Sequence, residues 1–134
     1  MPHAADKNSK NTFRKGDRLK SSLEIEALYR ENQFMVSYPL KCYYQFSEIT
    51  ENQRAIRVAF AVPKRTFKHA VDRNTIKRRM REAYRLNYRN ILEDFVKQKD
   101  KQLRLFFIYV GREVVDYGVI EKNMLIILQN KRLS

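Results

Sequence analysis

The chain reads as an α+β protein, built in the order helix, two or three strands, helix, strand, helix. Three observations carry this. Residues 55–62, AIRVAFAV, alternate as a half-buried strand does, with Ile56, Val58, Phe60 and Val62 on one face and Arg57, Ala59 and Ala61 on the other. Residues 103–110, LRLFFIYV, are apolar with little alternation, which fits a central strand covered on both faces. Between them, part of the stretch 64–89 carries apolar residues at helical spacing and predicts a long helix. A sandwich follows, with the helices on one face of the sheet.

Residues 1–17 are polar and basic and predict a flexible arm, with 18–134 as a single folded domain. Phe13 is the exception in the arm. Ser21 or Ser22 can cap a short helix, with Glu24 in its first turn and Leu23, Ile25, Ala27, Leu28 and Tyr29 following, ending near Glu31 and Asn32. Residues 34–46, FMVSYPLKCYYQF, are aromatic and β-prone but interrupted by Pro39. Proline cannot donate to a sheet ladder, so this run is an edge strand, a bent strand or two short strands.

SEITENQ (47–53) is a polar loop, and Pro63 ends the alternating strand. The long helix starts near Asp72 and can extend to Val96. Residues 98–102 form a polar connection, and Gly111 breaks the strand that follows. A last helix opens at Asp116 or Tyr117, its apolar positions Val119, Ile120, Met124, Ile127 and Leu128 recurring at helical spacing, before a polar tail.

The chain has 134 residues, 43% of them hydrophobic, enough for a core and against wholesale disorder. Its net charge of +13 points to a polyanionic partner, because a free protein so charged repels itself. An anionic membrane could also serve, but no apolar run approaches the ~18 residues of a spanning helix, and the N-terminus lacks the apolar segment of a signal peptide. Cys42 is the one cysteine, so there is no disulfide framework and no thiolate zinc site; among apolar neighbours it reads as a core thiol. A cytoplasmic location is the default expectation.

The charge is concentrated. Residues 64–89 hold ten basic side chains against Asp72 and Glu82, which is +8 of the +13. On a helix, Ile76, Met80, Ala83, Asn87 and Ile91 fall within about 80° of one another, with Tyr84 at the edge. Arg73, Asn74, Lys77, Arg78, Arg81, Arg85 and Tyr88 fill a neighbouring arc of about 140°. A merely solvated face usually mixes signs to gain pairs one turn apart. This one barely does, which favours nucleic acid as its partner.

Ordinary catalytic machinery is not legible. His3 lies in the arm and His69 in the basic loop, with no further His or Cys at metal-ligand spacing. The carboxylates scatter, and there is no glycine-rich phosphate loop. Acidic clusters that could hold Mg²⁺ for phosphodiester cleavage are missing, so no catalytic or metal residue is assigned. The parts of an RNA binder are present: arginine forks for phosphates, and Tyr29, Tyr43 and Tyr44 as aromatic rings able to stack on unpaired bases or to serve as core.

The run Arg73-Asn74-Thr75-Ile76-Lys77-Arg78-Arg79-Met80-Arg81-Glu82-Ala83-Tyr84-Arg85 resembles the RNR signature of the protein component of bacterial ribonuclease P. VPKRTFKHAVD (62–72) resembles that family's approach to its helix. Arg18-Leu19-Lys20 with the first helix, AIRVAFAV and FFIYVGR (106–112) resemble further parts, so the likeness covers roughly 18–131. It implies an α-β-β-β-α-β-α sandwich of about four strands and three helices, with a left-handed β-α-β crossover through the long helix.

The resemblance also implies a function: joining a catalytic RNA that holds the Mg²⁺ and removes the 5′ leader of precursor tRNA, with no obligatory protein partner. Carried onto this sequence, Lys64, Arg65, Lys68, Arg73, Asn74, Lys77, Arg78, Arg81 and Arg85 would face the catalytic RNA. Arg18, Lys20, Ile25, Tyr29 and Tyr43 would face the leader, in the cleft between the first helix and the open sheet face. Ile25 stands where the family has an aromatic residue; it can pack on a base but cannot stack. Pro63 stands where serine or alanine is common. Three rival readings are a ribosomal or rRNA-assembly protein, a DNA-binding regulator and a protein-only nuclease. The RNR spacing, the strand before the long helix and the lack of paired carboxylates, respectively, count against them.

Overall fold

Pro39 divides the first aromatic run into two strands. In the computed structural model, which describes residues 22–48, 55–98 and 101–133 apart from the side chains of 22, 89–98 and 131, β1 (Phe34–Ser37) and β2 (Leu40–Glu48) form a hairpin. Its turn is Tyr38 and Pro39, joined by a cis peptide, so the proline sits where no ladder bond is required of it. The register puts Phe34 opposite Tyr43. Before the hairpin, α1 (Ser22–Glu31) ends at Asn32, which takes φ 53 and sends its N–H back to the Leu28 and Tyr29 carbonyls. Asparagine tolerates this left-handed conformation better than most residues.

The remaining elements are β3 (Ile56–Ala61), α2 (Ala70–Gln98), β4 (Lys101–Tyr109), α3 (Tyr117–Leu128) and a closing 3-10 turn at Lys131–Leu133. The four-stranded sheet has the order β1-β2-β4-β3. β4 runs antiparallel to β2 and parallel to β3, so α2 is the crossover of a β-α-β unit. The apolar run at 103–110 therefore fills the central position its composition suits.

One sheet face carries the main core. Ile56, Val58 and Val62 from the β3 segment, Leu103, Leu105, Phe107 and Tyr109 from β4, and Cys42 and Tyr44 from β2 meet Ile76, Met80, Ala83 and Tyr84 of α2 and Ile120, Met124, Ile127 and Leu128 of α3. Burying each large side chain stabilises the fold by about 1.5–3 kcal/mol over leaving it exposed. Cys42 is fully buried, and desolvation pushes its thiol far above the usual cysteine range, so it is an inert core group.

The structure corrects the one-sided sandwich. α1 lies on the opposite face, where Leu28 closes on Tyr43 and Phe106, with Ile25, Ala59, Ala61 and Ile108 packed around them. Alternation along a strand tells which residues share a face but not which face a short helix will choose. Four smaller expectations also change. Gln102 belongs to β4 and is buried. Val119 is exposed although it shares helical spacing with the buried residues of α3. The polar tail docks through buried Leu133. Tyr88, placed on the cationic arc of α2, is buried against Tyr84. The expected arm (1–17) with Phe13, the residues Arg18 and Lys20, the Ser21 cap, most of the 47–53 loop, and the side chains of Ile91 and Val96 lie outside the described residues.

Candidate nucleic-acid interface

The basic loop is a closed turn. The Phe67 N–H donates to the Pro63 carbonyl at 3.1 Å, and the buried Phe67 ring lies 5.7 Å from that of Tyr109. Arg73 fastens it from the helix: one guanidinium nitrogen donates to the carbonyls of Phe67 at 2.7 Å and Lys68 at 2.9 Å. The His69 carbonyl accepts from the N–H groups of Asp72 and Arg73, which starts α2. Lys64, Arg65, Lys68 and His69 are thereby held exposed around a fixed bend.

Along α2, Asn74, Arg78 and Arg81 are exposed, and Lys77 and Arg85 half-exposed, on one side of the helix as their spacing requires. Arg85 grips Glu82 with two bonds of 2.8 and 3.0 Å. That grip holds the Glu82 carboxyl below its ordinary range, its desolvation opposing only in part. Arg79 points the other way, donating to the Val115 carbonyl, and so ties α2 to the segment entering α3. The six cations Lys64, Arg65, Lys68, Lys77, Arg78 and Arg81 and the amide of Asn74 thus share one rigid surface. Arg73 is chiefly the pin that shapes it.

The second surface is the α1 side of the sheet. Tyr29 is 45% exposed, its ring edge-on to Tyr43 at 4.8 Å and to Phe106 at 5.6 Å. Its hydroxyl is desolvated and faces the Tyr43 phenol, both of which raise its pKa, so it stays protonated as a donor. Tyr43 itself is 8% exposed and lies against Phe34 at 5.6 Å. The Lys41 ammonium stands 4.3 Å from the Phe34 ring centre and 4.9 Å from that of Tyr43. Ile25 is half-buried within this cluster.

Phe34 and Lys41 are the residues that sequence reading missed here. The signal was present: Lys41 shares a strand face with Tyr43, and a hairpin turning at Pro39 puts Phe34 beside it. The small Ala59 and Ala61 leave a shallow floor next to the rings. At the other end, Glu24 of α1 is bound by Arg57 at 2.7 Å and Arg104 at 3.2 Å, while Gln45 donates to Glu31. These polar contacts moor α1 and set the height of Tyr29 over the sheet.

Among the described residues no three His, Cys, Asp or Glu side chains gather as metal ligands, and no helix is long and apolar enough to cross a membrane. Ser47 Oγ is the one buried side-chain polar atom without a partner among them. The arrangement can therefore bind anions and flat rings, on two separate surfaces.

The ribonuclease P family model matches residues 13–128. The chain is 33% identical over 111 residues to the ribonuclease P protein component of Porphyromonas gingivalis, covering 82% of this chain and 79% of that protein. It is 30% identical over 132 residues to that of Chlorobium phaeobacteroides, covering 92% and 90%. Among solved structures it is similar to the Staphylococcus aureus RNase P protein, with a TM-score of 0.64 at 18% identity over 84% of this chain and 93% of that one, a likeness of fold. With a family match across nearly the whole folded part and a relative at a third identity, this chain belongs to the ribonuclease P protein family.

Proposed function

We infer that this chain is a cationic spacer, which lets a negatively charged leader lie against a negatively charged ribozyme. As a protein component of ribonuclease P it works with an RNA subunit in the endonucleolytic maturation of tRNA 5′ ends. In this reading the loop 64–68 and the α2 face (Asn74, Lys77, Arg78, Arg81, Arg85) bind the catalytic RNA, with Arg73 shaping that surface. The cleft bounded by Ile25, Tyr29 and Tyr43, with Arg18 and Lys20 before it, receives the single-stranded leader of precursor tRNA. Phe34 and Lys41 join that second set.

The observation that carries the reading is the separation of chemistries: cations without exposed rings on one surface, and on the other a cluster of rings with Lys41, where the nearby Arg57 and Arg104 are bound to Glu24. Phosphates of a structured RNA need the first, and unpaired bases need the second. In this reading the RNA subunit and substrate hold the Mg²⁺ used in cleavage, and the chain itself binds none. The chain supplies charge and position, in the cytoplasm, without an obligatory protein partner.

Reconstitution tests this. Adding the full chain to a bacterial ribonuclease P RNA should restore leader removal at physiological Mg²⁺, and should tighten precursor over mature tRNA. An unchanged Mg²⁺ requirement, or full cleavage by the chain freed of RNA, would overturn it.

A further inference from the structure

The carboxyl ends of two neighbouring parallel strands open a crevice wherever the loops leaving them diverge. Here β3 and β4 are such a pair, and the loops after them are the basic turn and residues 110–116. Between them lies a cleft of about 620 Å³ lined by Pro63, Arg65, Thr66, Tyr109, Val110 and Arg112. Arg65 and Arg112 are exposed, and among the described residues neither guanidinium meets a carboxylate.

Both walls are rigid. Arg65 and Thr66 sit within the turn closed by the Phe67–Pro63 bond and pinned by Arg73. Opposite, the Val110 N–H donates to the Pro39 carbonyl at 2.8 Å, and the Tyr109 hydroxyl donates to the Glu113 carbonyl. Gly111 lies so close to Pro39 that a Cβ there would approach the proline ring to 2.8 Å, which holds the backbone bearing Arg112 tight to the hairpin turn. Two guanidinium forks and a hydroxyl on fixed backbones suit a phosphate with its sugar against Val110, which is exposed, while Tyr109 is buried beneath the cleft. Glu113 is the nearby carboxylate; its side chain is exposed and does not line the cleft.

We propose that Arg65, Thr66 and Arg112 form one phosphodiester-binding cleft, which extends the catalytic-RNA surface from α2 across the strand ends to the loop before α3. This deepens the function inferred above and rests on it. The ligand is a backbone phosphate of the catalytic RNA, because the cleft is continuous with Lys64 and Lys68.

The experiment titrates the full chain onto a bacterial ribonuclease P RNA across a salt series, for Arg65→Ala, Arg112→Ala, the double variant, Arg112→Lys and Arg81→Ala, each checked by its thermal melt. Each cleft single should weaken binding by about tenfold and flatten the salt slope by about one contact. The double should fall short of the product of the singles, as two arms on one phosphate must. Arg112→Lys should recover part of the loss. Holoenzyme saturated with each variant should bind precursor and mature tRNA as the wild type does.

If substrate binding falls instead, while affinity for the catalytic RNA holds, the assignment to the catalytic RNA is overturned. Unchanged binding to both RNAs, with Arg81→Ala still weakening assembly, overturns the cleft and leaves the broader reading standing. If Arg81→Ala is silent too, both fall.

Discussion

Tyr84 and Tyr88 stack almost parallel, with their ring centres 4.7 Å apart and their planes 4° apart. A helical side chain leans back over the preceding turn, so Tyr88 covers Tyr84 although its angular position falls among the cations. The stack seals the edge of the core beside Phe60 and Phe107, which lie 5.9 and 6.1 Å from Tyr84. Tyr88→Ala should therefore lower stability by about 3 kcal/mol, the cost of truncating a core aromatic. Denaturant unfolding reads that loss, while affinity for the catalytic RNA, corrected for folded fraction, stays near wild type. A variant of normal stability with weakened RNA binding would return Tyr88 to the cationic face.

Arg73 and Arg81 belong to the same signature but do different work. Arg81 is exposed along the helix, so Arg81→Ala should weaken assembly with the catalytic RNA and flatten its salt dependence, with a stability change below about 0.5 kcal/mol as for other surface contacts. Arg73 bonds two loop carbonyls, so Arg73→Ala should also lose about 1 kcal/mol of stability as those groups lose their partner. Melting both variants beside the RNA titration checks the split. Equal stability in the two would show that the loop does not need its pin.

The pair of Arg85 with Glu82 holds a carboxylate beside the surface that binds RNA. Glu82→Gln removes a like charge from the approaching phosphates and releases Arg85 from one partner. Assembly should tighten by about threefold to tenfold, while stability shifts by less than about 0.5 kcal/mol because the pair is well exposed. The sign of the pH dependence is set by the lowered pKa of Glu82. Its contribution to stability is present above the ordinary carboxylate range and is lost as pH falls through the folded value. The affinity difference between Glu82→Gln and wild type should accordingly shrink as the solution is acidified through that region, and a pH-independent difference would count against the charge argument.

Periodicity made much of this protein legible before its fold was known. The faces of β3, the double burial of β4 and the apolar stripe from Ile76 to Tyr84 all follow from spacing along a single element. What spacing cannot supply is the relation between elements. Nothing in the α1 sequence says that it crosses to the face bearing Ala59 and Ala61, since that depends on where Arg57 and Arg104 wait for Glu24. Phe34 became a site residue only through the hairpin register, and Arg112 only because two loops end together. Arg73 was recognisable as basic, but its inward bonds depend on a loop that folds back on it.

That mooring of α1 leads to the remaining prediction. Arg57 and Arg104 are register partners on adjacent strands, and their like charges are reconciled by the one Glu24 carboxylate between them. These groups are mostly buried, so Glu24→Ala should cost about 1–2 kcal/mol, between the values for exposed and buried pairs. The loss should be local. Amide exchange should quicken through α1 while β2 and β4 keep their protection. Tyr29 and Ile25 would then lose their fixed height over Tyr43, so preference for precursor over mature tRNA should fall while assembly with the catalytic RNA holds. Tyr29→Ala should reproduce the loss of preference without the faster exchange, because the residue is 45% exposed and its ring packs edge-on. If Tyr29→Ala unfolded the chain, or left the preference intact, the ring would be core and the leader cleft would lie elsewhere.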